Sequence, residues 1–150
     1  MALPFFLIPI LVGLITQGLK PLFNRKWYAR LGDKGRKIPR YGGMPSAHTA
    51  FIFSLATVIG VVEGFGSAAF AIAAVLVIIV LDDALRMRIF LSRYGAALRR
   101  LIKKLPEPEQ HLFPYLESRL GHKVPEVIVG AAIGVFLTFL ILFFFSDNLA

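Results

Sequence analysis

The sequence predicts an all-α integral membrane protein: about four transmembrane helices, with a basic amphipathic interfacial helix between the third and the fourth. Three observations carry that prediction. Of 150 residues 57% are hydrophobic, yet the formal net charge is +8, from 17 Lys/Arg against 9 Asp/Glu. Four stretches, Met1–Leu19, Tyr41–Val62, Gly64–Leu81 and Val127–Ser146, contain no Asp, Glu, Lys or Arg. At about 1.5 Å of rise per residue each makes roughly 27–33 Å of helix, the hydrocarbon thickness of a bilayer. Finally, the cations are not dispersed: Lys20–Arg40 holds 8 of the 17 and Asp82–Lys123 holds the other 9.

This composition excludes a disordered chain, which needs low hydrophobicity. It also leaves too little polar surface for four apolar helices to be solvated by water. The length fits one domain, expected over residues 1–150. Cysteine is absent, which removes disulfides, thiol nucleophiles and thiolate metal sites from consideration. The basic excess raises nucleic acid as a partner, but nothing here resembles a base-stacking platform or a known nucleic-acid fold, so none is expected.

The first span is expected at about 3–22. It contains Pro4, Pro9 and Gly13, tolerable where neighbouring helices can satisfy the freed backbone groups. It lacks the basic leader and the small-residue cleavage site of a signal peptide and reads as an uncleaved span. A cytoplasmic loop at about 23–44 follows, glycine-rich and expected to be irregular, with Trp27 and Tyr28 at the height of an interfacial aromatic belt. Spans two and three, at about 45–63 and 66–83, are rich in Ala, Gly and Ser, which suits close packing in lipid, and a tight turn at Glu63-Gly64 joins them.

The second cytoplasmic loop, at about 84–124, opens with helical periodicity. From Asp83 to Leu105, Leu85, Ile89, Phe90, Ala96, Ala97, Leu101 and Ile102 alternate with Arg86, Arg93, Arg99, Arg100, Lys103 and Lys104. That spacing predicts a basic amphipathic helix continuing from span three along the membrane surface and attracted to anionic lipids. Pro106 and Pro108 end it, and a further short helix is expected around Leu112–Leu120. Span four is expected at about 125–145. With four spans, both basic loops share one face, which the positive-inside rule makes cytoplasmic, with both termini outside. The expected location is a plasma membrane of the bacterial inner-membrane type. Four helices make a thin bundle, so a homodimer is an open possibility.

The same topology gathers the reactive side chains. Lys20 closes span one, Pro45-Ser46-Ala47-His48 opens span two, Asp82 to Arg88 closes span three and His122 to Glu126 opens span four. Ionisable groups at the ends of packed spans are costly unless paired, which makes them functional candidates. They suit phosphoryl transfer. Pro45 can sit in a first helical turn whose N–H groups face an anion. Lys and Arg can hold further phosphate oxygens, and two histidines offer a nucleophile and an acid. Glu126, four residues after His122, has the same-face spacing that lets a carboxylate fix an imidazole tautomer. His111 matches no such pattern and reads as a loop residue.

Gly42-Gly43-Met44-Pro45-Ser46-Ala47-His48, Asp82-Asp83-Ala84-Leu85-Arg86-Met87-Arg88 and Leu120-Gly121-His122-Lys123-Val124-Pro125-Glu126 through Gly130 together resemble the divergent branch of the type 2 phosphatidic acid phosphatase superfamily. That superfamily includes membrane lipid phosphate phosphatases and vanadium haloperoxidases, and the resemblance covers about Lys20 to Gly134. It implies a membrane phosphatase acting on a lipid phosphate monoester or pyrophosphate at the cytoplasmic face, without metal or other cofactor. His122 would be the nucleophile that forms a phosphohistidine, Glu126 its orienting carboxylate and His48 the general acid. Ser46 would bind phosphate, with Lys20, Arg88, Asp83 and Arg40 completing the pocket. Ala47 and Glu126 stand where the superfamily pattern has Gly and Asp. Its Lys-x6-Arg-Pro has no clean match, and Arg88 with Asp83 replaces its Ser-Arg. Two other readings stay open: a lipid-phosphate binder, carrier or scaffold without turnover, and a metal-dependent phosphotransferase using Asp82 and Asp83.

Overall fold

The computed structural model describes residues 4–23, 28–31, 36–39, 43–110, 112–113 and 122–145. Arg40, Trp27, His111 and most of the helix expected at 112–120 lie outside them. The elements in chain order are α1 (Leu7–Phe23), β1 (Tyr28–Leu31), β2 (Arg36–Pro39), α2 (Ala47–Val62), α3 (Ala68–Asp82), a π-turn (Asp83–Met87), α4 (Arg88–Ile102), α5 (Glu107–Gln110) and α6 (Val124–Phe145). The described chain is helical apart from one small antiparallel pair of strands.

Helix α1 buries one stripe, Ile8, Val12, Thr16 and Lys20, whose i, i+4 spacing places all four on one face. Ile8 and Val12 join Ala50 and Val58 of α2 in a small core that Leu137, Ile141 and Leu142 of α6 close. The stripe ends on Lys20, so the packing that buries Val12 also carries a lysine into the interior at one end of the bundle.

The loop after α1 departs from the irregular conformation expected of it. Tyr28 to Leu31 pairs with Arg36 to Pro39, in the register Tyr28↔Pro39 through Leu31↔Arg36. Between these segments the sequence reads Gly32-Asp33-Lys34-Gly35, residue types that favour a reversal between strands.

Helix α2 is central and packs against α1, α3 and α6. Its start is set by Ser46, whose Oγ accepts the Thr49 N–H at 3.4 Å and meets Thr49 Oγ1 at 2.8 Å. Pro45 therefore precedes the cap instead of occupying the first turn. At the far end Glu63 closes the helix and Gly64 takes φ = +87°, the left-handed conformation that lets the chain reverse without a Cβ clash. Ser67 then caps α3 by accepting the Phe70 N–H at 3.1 Å.

Helices α2 and α6 meet along a ladder of small residues. A Cβ on Gly130 would lie 2.5 Å from the Ser46 carbonyl oxygen, and one on Gly134 would strike the Ala50 carbonyl. One turn on, Thr138 Oγ1 donates to Ser54 Oγ at 2.5 Å. All three pairs are offset by the same 84 residues, so the two helices run in the same direction. Two glycines four apart let the backbones approach as small-xxx-small motifs do in lipid.

Among the described residues two helices are long and apolar enough to cross a membrane: the 35-residue run Ala68–Ile102, which includes α3, and the 22-residue α6. Helices α1 and α2, of 17 and 16 residues, are apolar but shorter, at about 25 Å each against a slab of about 30 Å. The surface agrees with the composition. Leu14, Leu22, Phe65, Ile72, Ile78, Phe136, Phe143 and Phe144 are each at least 64% exposed. Apolar surface on this scale is foreign to soluble monomers.

Candidate functional site

Three backbone segments converge at one end of the bundle. The Ser46 amide donates to the Glu126 carbonyl at 3.0 Å, tying the start of α2 to the first turn of α6. The His122 amide donates to the Ala84 carbonyl at 3.4 Å, tying the approach to α6 to the π-turn. The α1 stripe delivers Lys20 to the same place.

His122 is 4% exposed and Glu126 8%. The imidazole Nδ1 meets Glu126 Oε2 at 3.0 Å, and the same carboxylate oxygen accepts the Lys123 N–H at 3.2 Å. The pair does not arise as two positions on one helical face, because α6 begins only at Val124. His122 precedes the helix, and Glu126, in its first turn, reaches back to the cap residue's amide in the manner of a capping box. Pro125 fits that first turn, where its missing N–H costs nothing. The carboxylate is thus held from two sides. With Nδ1–H donating to it, the neutral ring keeps its free lone pair on Nε2.

The π-turn supplies the second pair. Arg88 Nε donates to Asp83 Oδ2 at 2.7 Å, a contact between residues five apart. In an α-helix such residues point about 140° away from each other. The wider π-turn brings them onto one side, so the irregularity is what allows Asp83 to orient Arg88. Asp82 forms a more exposed pair with Arg86, at 3.2 Å, of a kind that contributes little to stability. Each aspartate is therefore engaged by an arginine. Among the described residues no group of three or more His, Asp or Glu side chains is arranged to hold a metal ion.

A cavity of about 400 Å³ lies among these groups, lined by His48, Asp83, Ala84, Arg88 and His122 and, deeper along α2 and α3, by Phe51, Ile52, Ile79 and Val80. His48 is exposed. Lys20 is buried at 4% exposure and within electrostatic range of Glu126 and Arg88. Arg88, Lys20, His122 and Asp83 all act electrostatically on His48. Burial holds the His122 pKa below the ordinary imidazole value; the Glu126 hydrogen bond and charge oppose this, and the Lys20 and Arg88 charges reinforce it. The ring is consequently neutral at physiological pH.

The structure thus brings together Lys20, His48, Asp83, Arg88, His122 and Glu126. Ser46 is placed otherwise than expected. It is fully buried, its hydroxyl is shared with Thr49, its amide is spent on Glu126, and it does not line the cavity. It acts as a helix cap. Ser46→Ala is expected to cost about 1 kcal/mol of stability, seen as a lowered Tm in detergent, with phosphate affinity unchanged. The apolar lining was missed by sequence reasoning, although Phe51 and Ile52 lie three and four residues after His48, and Ile79 and Val80 four and three before Asp83. The π-turn has no comparable sequence signal.

Fold and site define a membrane-type helical bundle with a cation-lined cavity at one end, holding a buried histidine–carboxylate pair. The chain belongs to the Divergent PAP2 family, whose profile matches residues 2–137. It is also similar to the uncharacterized membrane protein YuiD of Bacillus subtilis (strain 168), 30% identical over 115 residues that cover 69% of this chain and 73% of the relative. No solved structure matches.

Proposed function

We propose that the protein is an integral membrane phosphatase that hydrolyses a lipid phosphate monoester or pyrophosphate through a phosphohistidine. The observation that carries this reading is the His122–Glu126 pair at 3.0 Å on the wall of a cavity that Arg88 and His48 also line. In this reading α1, α2, α3 and α6 all cross the membrane, with the basic segments cytoplasmic. The common direction of α2 and α6 is what a second and a fourth crossing require.

The substrate phosphate sits between Arg88, steadied by Asp83, and the charge of Lys20. Both cations also offset the negative charge that builds in the transition state. The Nε2 lone pair of His122 attacks phosphorus and the P–O bond to the lipid breaks. His48 gives its proton to the departing oxygen. The Nδ1–H, held by Glu126, stabilises the charge that appears on the ring. Water then attacks the phosphohistidine, His48 takes up its proton, and inorganic phosphate and neutral His122 are regenerated. Phe51, Ile52, Ile79 and Val80 offer an apolar wall to the part of the substrate next to the phosphate.

Purified protein in mixed micelles is expected to release phosphate from phosphatidylglycerol phosphate, phosphatidate or a polyprenyl pyrophosphate, equally with and without a chelator. Binding of these lipids with no release and no labelled intermediate would favour a carrier. Loss of release with chelator would favour the metal-dependent reading through Asp82 and Asp83.

The pH profile follows from His122. Nucleophilic attack needs the neutral ring, which is present above its pKa and lost as the pH falls through it. Burial lowers that pKa, so the acid limb of kcat/KM should lie below about 6.5, the unperturbed histidine value. Glu126→Gln removes a charge that raises the pKa, so it should move that limb lower still while reducing the maximal rate.

A further inference from the structure

Helix α4 is an amphipathic helix whose apolar side is left uncovered by the described residues. None of its residues is buried. Among the described residues its main contacts are to the adjoining π-turn, and Phe90, Leu91, Tyr94, Leu98 and Leu101 are between 47% and 65% exposed. At about 100° per residue these five fall within an arc of roughly 100°. Arg88, Arg93, Arg99 and Arg100 fall outside that arc, Lys103 and Lys104 follow at the helix end, and no Asp or Glu occurs between Asp83 and Glu107.

Position selects the occupant. The run Ala68–Ile102 has 35 residues, about 52 Å of helix against a hydrocarbon slab of about 30 Å. Once the uncharged stretch Gly64–Leu81 occupies the slab, α4 begins at the polar boundary. A second copy of α4 would bring its four arginines, and the two lysines that follow it, against the same set, with no acidic residue in the helix to offset them. An anionic headgroup layer meets both requirements, with acyl chains for the apolar arc and negative charge for the basic one.

We propose that α4 is a docking element for the anionic surface of the membrane that α3 crosses, its apolar arc inserted at the headgroup level. The helix starts at Arg88, which also lines the cavity and pairs with Asp83 across the π-turn. Docking therefore anchors the cationic side of the cavity to the membrane surface, whatever reaction the cavity supports.

The absence of cysteine makes the test direct. Tyr94→Cys and Leu98→Cys place a spin label on the apolar arc, and Arg93→Cys places one on the basic side. Full-length protein is reconstituted in phosphatidylcholine alone, and in phosphatidylcholine with about one-third phosphatidylglycerol. In the anionic bilayer, labels at 94 and 98 should lose accessibility to a water-soluble relaxation agent several-fold and gain it to oxygen, while the label at 93 stays in water. Neutralising Arg99, Arg100, Lys103 and Lys104 to Gln should weaken docking by about fivefold per removed cation. Equal water accessibility at 93, 94 and 98 in both bilayers would overturn the proposal. So would efficient disulfide formation between two copies through Tyr94→Cys, which would assign the arc to self-association.

Discussion

His122→Ala is expected to reduce phosphate release by about a thousand-fold or more and to abolish acid-labile labelling by a radioactive lipid phosphate. The size follows from the chemistry. The ring supplies the attacking lone pair, and no other described group combines burial, neutrality and a fixed tautomer at the cavity wall. Glu126→Ala should cost less, about 10²-fold, because it leaves the nucleophile in place and removes its orientation. It also takes away the acceptor for the Lys123 amide, so some loss of stability should accompany it. His48→Ala should slow the departure of a lipid alkoxide far more than that of a good leaving group such as p-nitrophenolate, because the latter needs no proton. This split separates the roles of the two histidines. A His122→Ala protein that folds, binds lipid phosphate and still turns over would remove the phosphohistidine mechanism.

How much of this site was legible in the sequence differs from residue to residue. The gathering of Lys20, His48, Asp83, Arg88, His122 and Glu126 at one end of the bundle followed from counting uncharged stretches, because successive crossings must return those segments to one side. The pairing of His122 with Glu126 was legible as a spacing, but its cause was not. Four residues on one helical face and a helix start with a back-reaching carboxylate give the same interval, and only the start of α6 at Val124 decides between them. Ser46 is ambiguous in the sequence for a related reason. A serine before a helix looks the same whether its oxygen faces a phosphate or caps the helix, and the deciding partners, Thr49 and the Glu126 carbonyl, include a residue 80 positions away. The π-turn behind the Asp83–Arg88 contact could not be inferred, since it is a choice among backbone hydrogen bonds that side-chain periodicity does not encode. In the first basic loop the same glycines that suggest an irregular conformation also suit a reversal between strands, and composition alone does not separate the two.

Gly130→Leu should abolish activity without touching a reacting group, and Gly134→Leu should loosen the bundle while affecting the site less. A Cβ at 130 would sit 2.5 Å from the Ser46 carbonyl oxygen and 3.1 Å from the Ser46 Cβ. The first is a backbone atom of a capped helix start and the second is bonded directly to that backbone, so neither can swing aside, and α2 and α6 must separate at that level. The Ser46 carbonyl accepts the Ala50 amide at 3.0 Å, so its displacement disturbs the first turn of α2, which carries His48. Ser46 also donates its amide to the Glu126 backbone carbonyl, so the same shift moves the backbone that carries the carboxylate orienting His122. One added side chain thus acts on the acid and on the nucleophile's support together. Overpacking of this kind costs about 1–3 kcal/mol, and near-attack geometry amplifies it, since about 1 Å of misplacement can lower a rate by about 10²-fold. At Gly134 the clash falls on the Ala50 carbonyl, one turn further from the histidines. The stability loss there should match that at 130, with a smaller loss of kcat. Thermal unfolding in detergent together with kcat for Gly130→Ala, Gly130→Leu and Gly134→Leu tests this. Equal activity loss at 130 and 134 for equal loss of Tm would show that the glycines serve stability alone. A disproportionate loss at 130 would show that helix packing sets the distance between His48 and His122.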